Sequence, residues 1–117
     1  MVSKQKAFHL VKQMPTCFQL KFTNGYILSM NIGPGGYNDN RGGIGGIGLV
    51  ASSRALGVET DTVEVAVFDP EDNWVTKKFF PEAENGFYSI AGWQTMGQVE
   101  TAIKAILEIP KRDRNGT

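Results

Sequence analysis

The sequence predicts an α+β fold: an antiparallel β-sheet built from hairpins, with a C-terminal helix packed on one face and a long glycine-rich loop. Three observations support this prediction: an Asn-Gly turn between alternating segments, a later β-branched strand ending at turn residues, and a capping box before an amphipathic run. Because there is no internal repeat, we expect a single domain over residues 1–117. Within it, residues 1–16 are poorly defined, and residues 111–117 predict a flexible tail.

The first hairpin is predicted around Asn24-Gly25. Residues 17–22 alternate between apolar and polar side chains, which is typical of a half-buried strand. Asn-Gly tolerates positive φ at both central positions of a type I′ turn, so residues 26–32 are expected to return as the second strand. Upstream, residues 7–11 fit either one helical turn or an irregular strand, and the sequence leaves both open.

A second hairpin is predicted further along the chain. Residues 63–69 carry β-branched side chains at alternate positions and lead into turn residues from Pro70 to Asn73. We expect residues 74–80 to return as the partner strand and residues 87–90 to form a short further strand. Residues 49–56 fit either a short helix closed by Gly57 or an extended arm.

The last predicted element is a helix that packs on the sheet. Thr95 and Gln98 have the spacing of a capping box, and Pro110 ends the helical pattern. Glu100 and Lys104 can pair one turn apart on the outer face. The apolar positions follow three-and-four spacing: Met96, Val99, Ala102, Ile103, Ile106 and Leu107.

Composition excludes several classes of function. Apolar residues make up 41% and charged residues 21% of the chain, as in ordinary globular domains. Twelve basic residues balance twelve acidic ones, so no net field attracts nucleic acid or an anionic membrane, and we expect neither as a partner. The single cysteine, Cys17, cannot form an internal disulfide, and no signal-peptide run is present. A cytoplasmic location is therefore expected.

The segment from Gly33 to Gly48 contains eight of the fourteen glycines and is the predicted binding segment. Consecutive glycines can turn successive N–H groups towards an anion, Arg41 offers a planar fork for phosphate, and Tyr37 can stack on a base. The alternative is a polar turn over residues 37–41 within a flexible loop. The predicted ligand-binding residues are Gly35, Gly36, Tyr37, Asn38, Asn40, Arg41, Gly43 and Gly45.

The recognisable catalytic patterns are weak. Residues 43–48 match the dinucleotide-binding pattern G-x-G-x-x-G, but no strand directly precedes them, as a Rossmann unit requires. His9 is the only histidine and has no neighbouring ligand cluster, and the carboxylates of residues 69–72 lack the alternation of a calcium loop. Trp74 and Trp93 are large anchors for a core or an interface, and the core is the default expectation. We therefore expect no enzymatic activity, no metal and no cofactor.

Several short motifs resemble a pattern found in small uncharacterised bacteriophage proteins. The matching residues are the aromatic-rich hairpin 22–29, the Gly-x-Gly-x-Tyr segment 33–37 with Asn40-Arg41, the strand ending 65–69 and the Trp-containing return 73–75. The resemblance covers roughly residues 20–107, apart from the glycines at 42–48. It implies a small protein that acts on host machinery in the host cytoplasm, often in defence evasion, and it transfers no catalytic residue.

Two functions remain open on these grounds. The first is a non-catalytic protein that sequesters a small phosphate-bearing, nucleotide-like ligand to counter host defence. The alternative is an inhibitor or adaptor that blocks a host protein through its glycine-rich loop and exposed aromatic residues. A sheet covered on one face only, together with the aromatic residues Trp74, Phe79, Phe80 and Tyr88, also predicts a homodimer or a larger ring.

Overall fold

The computed structural model describes residues 7–14, 16–33, 36–39 and 60–111. They form a five-stranded antiparallel sheet whose strand order follows the chain, with a C-terminal helix against one face, which confirms the predicted α+β class. Within the described residues, no helix has the length and apolar character needed to cross a membrane. The elements are β1 Phe8–Met14, β2 Cys17–Phe22, β3 Ile27–Asn31, β4 Thr62–Phe68, α1 Thr76–Phe79, β5 Ala91–Thr95 and α2 Met96–Leu107.

Residues 8–14 form a strand, which resolves the alternative that the sequence left open for residues 7–11. β1 lies at the edge of the sheet and pairs with β2, with Phe8 opposite Phe22 and Leu10 opposite Leu20. Directly opposed residues share a face of the sheet, so these side chains follow the apolar pattern of β2. Pairing with a neighbouring strand therefore decides a conformation that the short apolar pattern could not.

The first hairpin is confirmed, but its turn differs from the predicted type I′. The Phe22 N–H donates to the Tyr26 carbonyl at 2.9 Å, and the Gly25 N–H donates to the Phe22 carbonyl at 2.9 Å. Gly25 has a φ of 95°, whereas Asn24 is not among the residues with positive φ. The connection is thus a three-residue loop with glycine at the bulged position, the next most common hairpin loop after the two-residue turns.

The side chain of Asn24 links the turn of the first hairpin to the end of α2. Its Nδ2 donates to the carbonyls of Ile106 and Ile109, both at 2.8 Å, and its Oδ1 accepts from the Tyr26 N–H at 3.1 Å. The Ile106 carbonyl, in the last turn of α2, also accepts the Ile109 N–H at 3.0 Å, and Ile109 itself follows the helix. The turn of the first hairpin therefore caps the end of α2.

The strand predicted at 63–69 is confirmed within one residue, but the predicted return strand over 74–80 is wrong. Only Trp74 bridges back to Phe68, after which the chain turns into α1. The reason lies in Thr76, which is fully buried. Its hydroxyl oxygen accepts the Val67 N–H at 2.9 Å, so a side chain meets the hydrogen-bonding requirement that a strand would otherwise satisfy.

The strand predicted at 87–90 is also absent, and the fifth strand begins at Ala91 instead. The Thr76 hydroxyl donates to the Ser89 carbonyl at 2.9 Å, and the Ile90 carbonyl accepts from the Glu84 N–H. These carbonyls are therefore used by the loop between α1 and β5 and not by a sheet ladder. β5 then pairs with β4 along the far edge of the sheet.

The helix α2 begins with the predicted capping box. Thr95 Oγ1 accepts the Gln98 N–H at 3.2 Å, and Gln98 Oε1 accepts the Thr95 N–H at 2.7 Å. The Lys104 ammonium lies 3.5 Å from the Glu100 carboxylate on the exposed face. Packing of α2 on the sheet gives this core: Leu20, Phe22, Leu28, Val63, Val65, Val67, Phe80, Ala83, Ala91, Val99, Ala102 and Ile106.

The homodimer or ring stays a prediction. Of the four aromatic residues on which it was based, Phe80 is buried in the core and Phe79 packs partly buried against it, 6.0 Å from the Tyr26 ring. Both side chains therefore belong to the monomer. Trp74 is half-buried and Tyr88 is exposed, so these two remain available to a second surface.

We expect Gly25→Val to lower the free energy of unfolding by about 1 kcal/mol or more, measured by chemical denaturation. A β-branched residue is strongly disfavoured at this φ, and the new Cβ would lie 3.0 Å from the Pro70 ring carbons. Gly97→Ala is the matched control, because Gly97 lies in α2 with no close neighbour and alanine favours a helix. A stable Gly25→Val protein would contradict the described loop.

Asn24→Asp should be more destabilising than Asn24→Ala. Both changes remove the two donors to the end of α2, a loss of about 1–3 kcal/mol. The aspartate also places a negative charge beside carbonyls at the negative end of the helix dipole. Asn85→Asp, at an exposed loop position, serves as the control. Thermal and chemical unfolding measure the order, and equal stability of both Asn24 variants and the parent protein would exclude the capping role.

Candidate functional site

The predicted binding segment is only partly described. Gly36, Tyr37 and Asn38 lie in the described residues, whereas Gly35, Asn40, Arg41, Gly43 and Gly45 lie outside them, as do residues 49–57. The predicted anion-holding cradle around Arg41 therefore stays a prediction. What the structure does provide is the position of residues 36–39 relative to the sheet.

Asn38 anchors this segment to β3 and is only 1% exposed. Its Nδ2 donates to the Asn31 carbonyl at 2.8 Å and to the Gly33 carbonyl at 3.0 Å. At Gly36, an added Cβ would lie 2.8 Å from both the Asn31 and Asn38 side-chain amides, so only glycine fits without movement. Both predicted site residues thus have a structural role in holding residues 36–39.

Tyr37 joins this segment to both strands of the β4–β5 ladder. Its N–H donates to Glu64 Oε2 at 2.9 Å, and its carbonyl accepts the Trp93 N–H at 2.6 Å. Its Cβ packs directly over Gly92, where an added Cβ would lie only 2.7 Å away. The main chain of Tyr37 is therefore fixed, and its Cβ is held against Gly92.

Trp93 lies at an irregularity in the same ladder. Val63 pairs with Gln94 and Val65 pairs with Ala91, so Gly92 and Trp93 on β5 face the single residue Glu64 on β4. Two residues opposite one is the arrangement of a β-bulge, which redirects a side chain. The tryptophan expected in the core is consequently 50% exposed.

The backbone of Trp93 is strained, with a φ of 50°. A bulky residue in this region costs about 1–3 kcal/mol, and such strain often accompanies function. The Trp93 ring centroid lies 5.6 Å from that of Tyr37, with an angle of 43° between the planes. The bulge thus exposes an indole beside a second aromatic ring whose own backbone is fixed.

These two rings form one wall of a cleft of about 410 Å³. We call it the aromatic–acidic cleft and define it by its lining residues: Tyr37, Glu82, Glu84, Ile90, Gly92, Trp93 and Gln94. No lysine or arginine of the described part of the chain lines it, and neither glutamate forms an ion pair there. The described lining therefore contains two carboxylates and no basic side chain.

The two carboxylates differ in their partners. Glu82 Oε1 accepts Gln98 Nε2 at 3.0 Å and Gln94 Nε2 at 3.5 Å, so α2 and β5 hold it in place. Glu84 is fixed through its N–H, which donates to the Ile90 carbonyl, while its carboxylate has no hydrogen-bond partner in the described residues. Glu84 also lines a smaller depression of about 230 Å³ beside Trp74 and Lys77.

The described residues that line this cleft include two carboxylates but no histidine, cysteine or serine. Burial raises the pKa of the Cys17 thiol, a hydrogen bond with Thr16 opposes that rise, and the charge of Glu64 adds to it. A thiol with a raised pKa is a poor nucleophile at neutral pH. No three metal-ligating side chains cluster anywhere in the described ranges, and His9 lies exposed on β1.

The residues that sequence reasoning missed are Glu82, Glu84 and Trp93. One signal was present, because a glycine inside a strand pattern often marks a bulge and Gly92 directly precedes Trp93. Nothing local indicated the glutamates, which reach the cleft only because the loop between α1 and β5 folds back to it. Comparison of the chain with protein-family models, with curated proteins and with solved structures returned no match.

We expect Trp93→Gly to change the free energy of unfolding by less than about 1 kcal/mol. Glycine relieves the positive φ, and this gain offsets the lost ring contact with Tyr37. Truncating a well-packed core tryptophan usually costs about 3–5 kcal/mol. Chemical denaturation measures the difference, and a loss in that larger range would show that the indole is a structural anchor.

Proposed function

We propose that this protein is a non-catalytic binding protein that engages a partner protein through exposed aromatic side chains, one of which is Trp93 of the aromatic–acidic cleft. The observation that carries the proposal is the exposure of three aromatic residues on β5 and the loop before it. Phe87 is 78% exposed, Tyr88 66% and Trp93 50%. Aromatic residues of this kind are enriched at protein interfaces, where they contribute much of the binding free energy.

The exposed residues before β5, Phe87 and Tyr88, belong to a row of aromatic rings that pack against one another. Ring centroids are 4.8 Å apart between Phe87 and Tyr88, 5.3 Å between Tyr88 and Trp74, and 4.6 Å between Trp74 and Phe68. This row of rings runs from β4 to the surface and restricts the Tyr88 side chain before a partner arrives. A side chain ordered in advance loses less entropy on binding, which favours a recognition role.

We further propose that the partner is a host protein and that binding counters a host defence, in the host cytoplasm. The support for this part is the resemblance of the hairpin and the Gly-x-Gly-x-Tyr segment to small bacteriophage proteins. A folded domain with exposed aromatics and no assembled catalytic group in its described residues is the kind of protein that acts by blocking a surface.

A nucleotide-like ligand is the second candidate, and one observation favours it. Tyr37 and Trp93 present two neighbouring rings in the aromatic–acidic cleft, and aromatic rings of this kind stack on bases. The phosphate would then be held by Arg41 and the glycines around it. The two carboxylates of the cleft weigh against this candidate, because they repel an anion that is not neutralised nearby.

The prediction for the first candidate concerns capture of a partner from bacterial lysate by the purified protein. We expect one stoichiometric protein partner, and replacing both Phe87 and Tyr88 by alanine should reduce its capture about tenfold or more. Both side chains are exposed, so the variant should fold. Leu107→Ala, which removes an exposed apolar side chain at the far end of α2, is the matched control.

Calorimetry against nucleotides and cyclic nucleotides distinguishes the second candidate. If a nucleotide binds, and Arg41→Ala weakens that binding about ten- to a hundredfold, the protein sequesters a phosphate-bearing ligand. If no nucleotide binds and the aromatic substitutions abolish capture, the partner-protein proposal holds. Capture that is unaffected by the Phe87 and Tyr88 substitutions would contradict it.

A further inference from the structure

We propose that the aromatic–acidic cleft is a recognition site for a single arginine side chain presented by the partner. This inference rests on the proposed binding function and names the chemistry that the cleft would recognise. It depends on three features of the described residues: the ring pair of half-buried Tyr37 and exposed Trp93, the two carboxylates, and the lack of a lining cation.

The ring pair offers a face to a cation. The indole of Trp93 is the best cation-binding ring among the side chains, and half of this residue is exposed. The Trp93 main chain is fixed by the bulge at Gly92 and Trp93 and by the hydrogen bond from the Trp93 N–H to the Tyr37 carbonyl. The indole that it carries lines the cleft. A cation can therefore lie against a ring whose backbone position is already set.

The carboxylates of Glu82 and Glu84 provide the negative charge that complements a bound cation. Glu82 is held by two side-chain amides, so its charge is fixed in the wall although its oxygens are partly used. The Glu84 carboxylate has no hydrogen-bond partner in the described residues and can accept both N–H groups of a fork. The charge of the cleft thus favours a cation, and the arrangement of its acceptors favours one with paired donors.

Arginine fits this combination better than lysine. The guanidinium is planar, so it can stack on the indole while its edge forms a bidentate pair with a carboxylate. It is also more weakly hydrated than an ammonium, which lowers the cost of leaving water. A cleft of about 410 Å³ is large enough for one such side chain.

The test is a nuclear magnetic resonance titration of the full chain with the peptide acetyl-Gly-Arg-Gly-amide. The chain has two tryptophans, so the indole N–H signal of Trp74 reports non-specific effects in the same spectrum. We expect the Trp93 indole and the Gly92 amide to shift with a dissociation constant on the order of millimolar. The same peptide with citrulline is a neutral isostere, and it should bind at least several-fold more weakly.

Substitutions separate the contribution of the Glu84 carboxylate to peptide binding from that of the Trp93 indole. Glu84→Gln should weaken binding of the arginine peptide about threefold or more, and added salt should reduce the difference between the two proteins. Trp93→Leu, followed through the Gly92 amide, should weaken it about tenfold. Glu108→Gln removes an exposed carboxylate beyond the end of α2 and should change nothing. Dispersed spectra of each variant establish that it is folded.

The outcomes distinguish this inference from the function on which it rests. Equal shifts with the citrulline peptide, no shift at all, or a shift by adenosine monophosphate alone would each overturn the arginine site. Partner capture could still depend on Phe87 and Tyr88 in those cases. Conversely, a specific arginine response without any captured protein would support the site and contradict the proposed protein partner.

Discussion

The fold depends on a contact between its first turn and its last helix. The Asn24 side-chain amide holds the carbonyls of Ile106 and Ile109, so the end of α2 is fixed over the β2–β3 hairpin. Because these residues are more than eighty positions apart in the chain, the contact forms only when the C-terminal helix has packed against the first hairpin. Ile106 is fully buried beside it, so the polar link and the apolar core support each other.

How much of the fold the sequence could predict depended on the range of the interactions involved. The alternation of residues 17–22, the Asn-Gly hairpin and the capping box of α2 are local patterns, and each is confirmed. Residues 74–80 have strand-like composition, yet the Thr76 hydroxyl bonds Val67 and Ser89 and turns the chain into α1. A hydrogen bond between distant residues of this kind leaves no trace in local propensity.

The site was predicted less well than the fold, for a related reason. Tyr37 was identified from its place in the glycine-rich segment and does line the aromatic–acidic cleft. Asn38, chosen with it, turns its amide inward to backbone carbonyls. Trp93 becomes exposed only because a bulge forms opposite Glu64, and Glu64 in turn accepts the Tyr37 N–H. The site is assembled by these cross-strand contacts, which a linear pattern does not contain.

The way in which β3 meets β4 has a consequence for how fast the chain can fold. The two strands pair over five residues, from Ile27 opposite Phe68 to Asn31 opposite Glu64, although about thirty residues separate the inner ends of this ladder. The entropy cost of bringing two chain segments together grows with the logarithm of the number of residues between them, so this ladder costs more to close than the three-residue loop of the first hairpin. Contacts of long sequence separation slow folding, so the pairing of β3 with β4 is expected to limit the folding rate more than the pairing of β2 with β3.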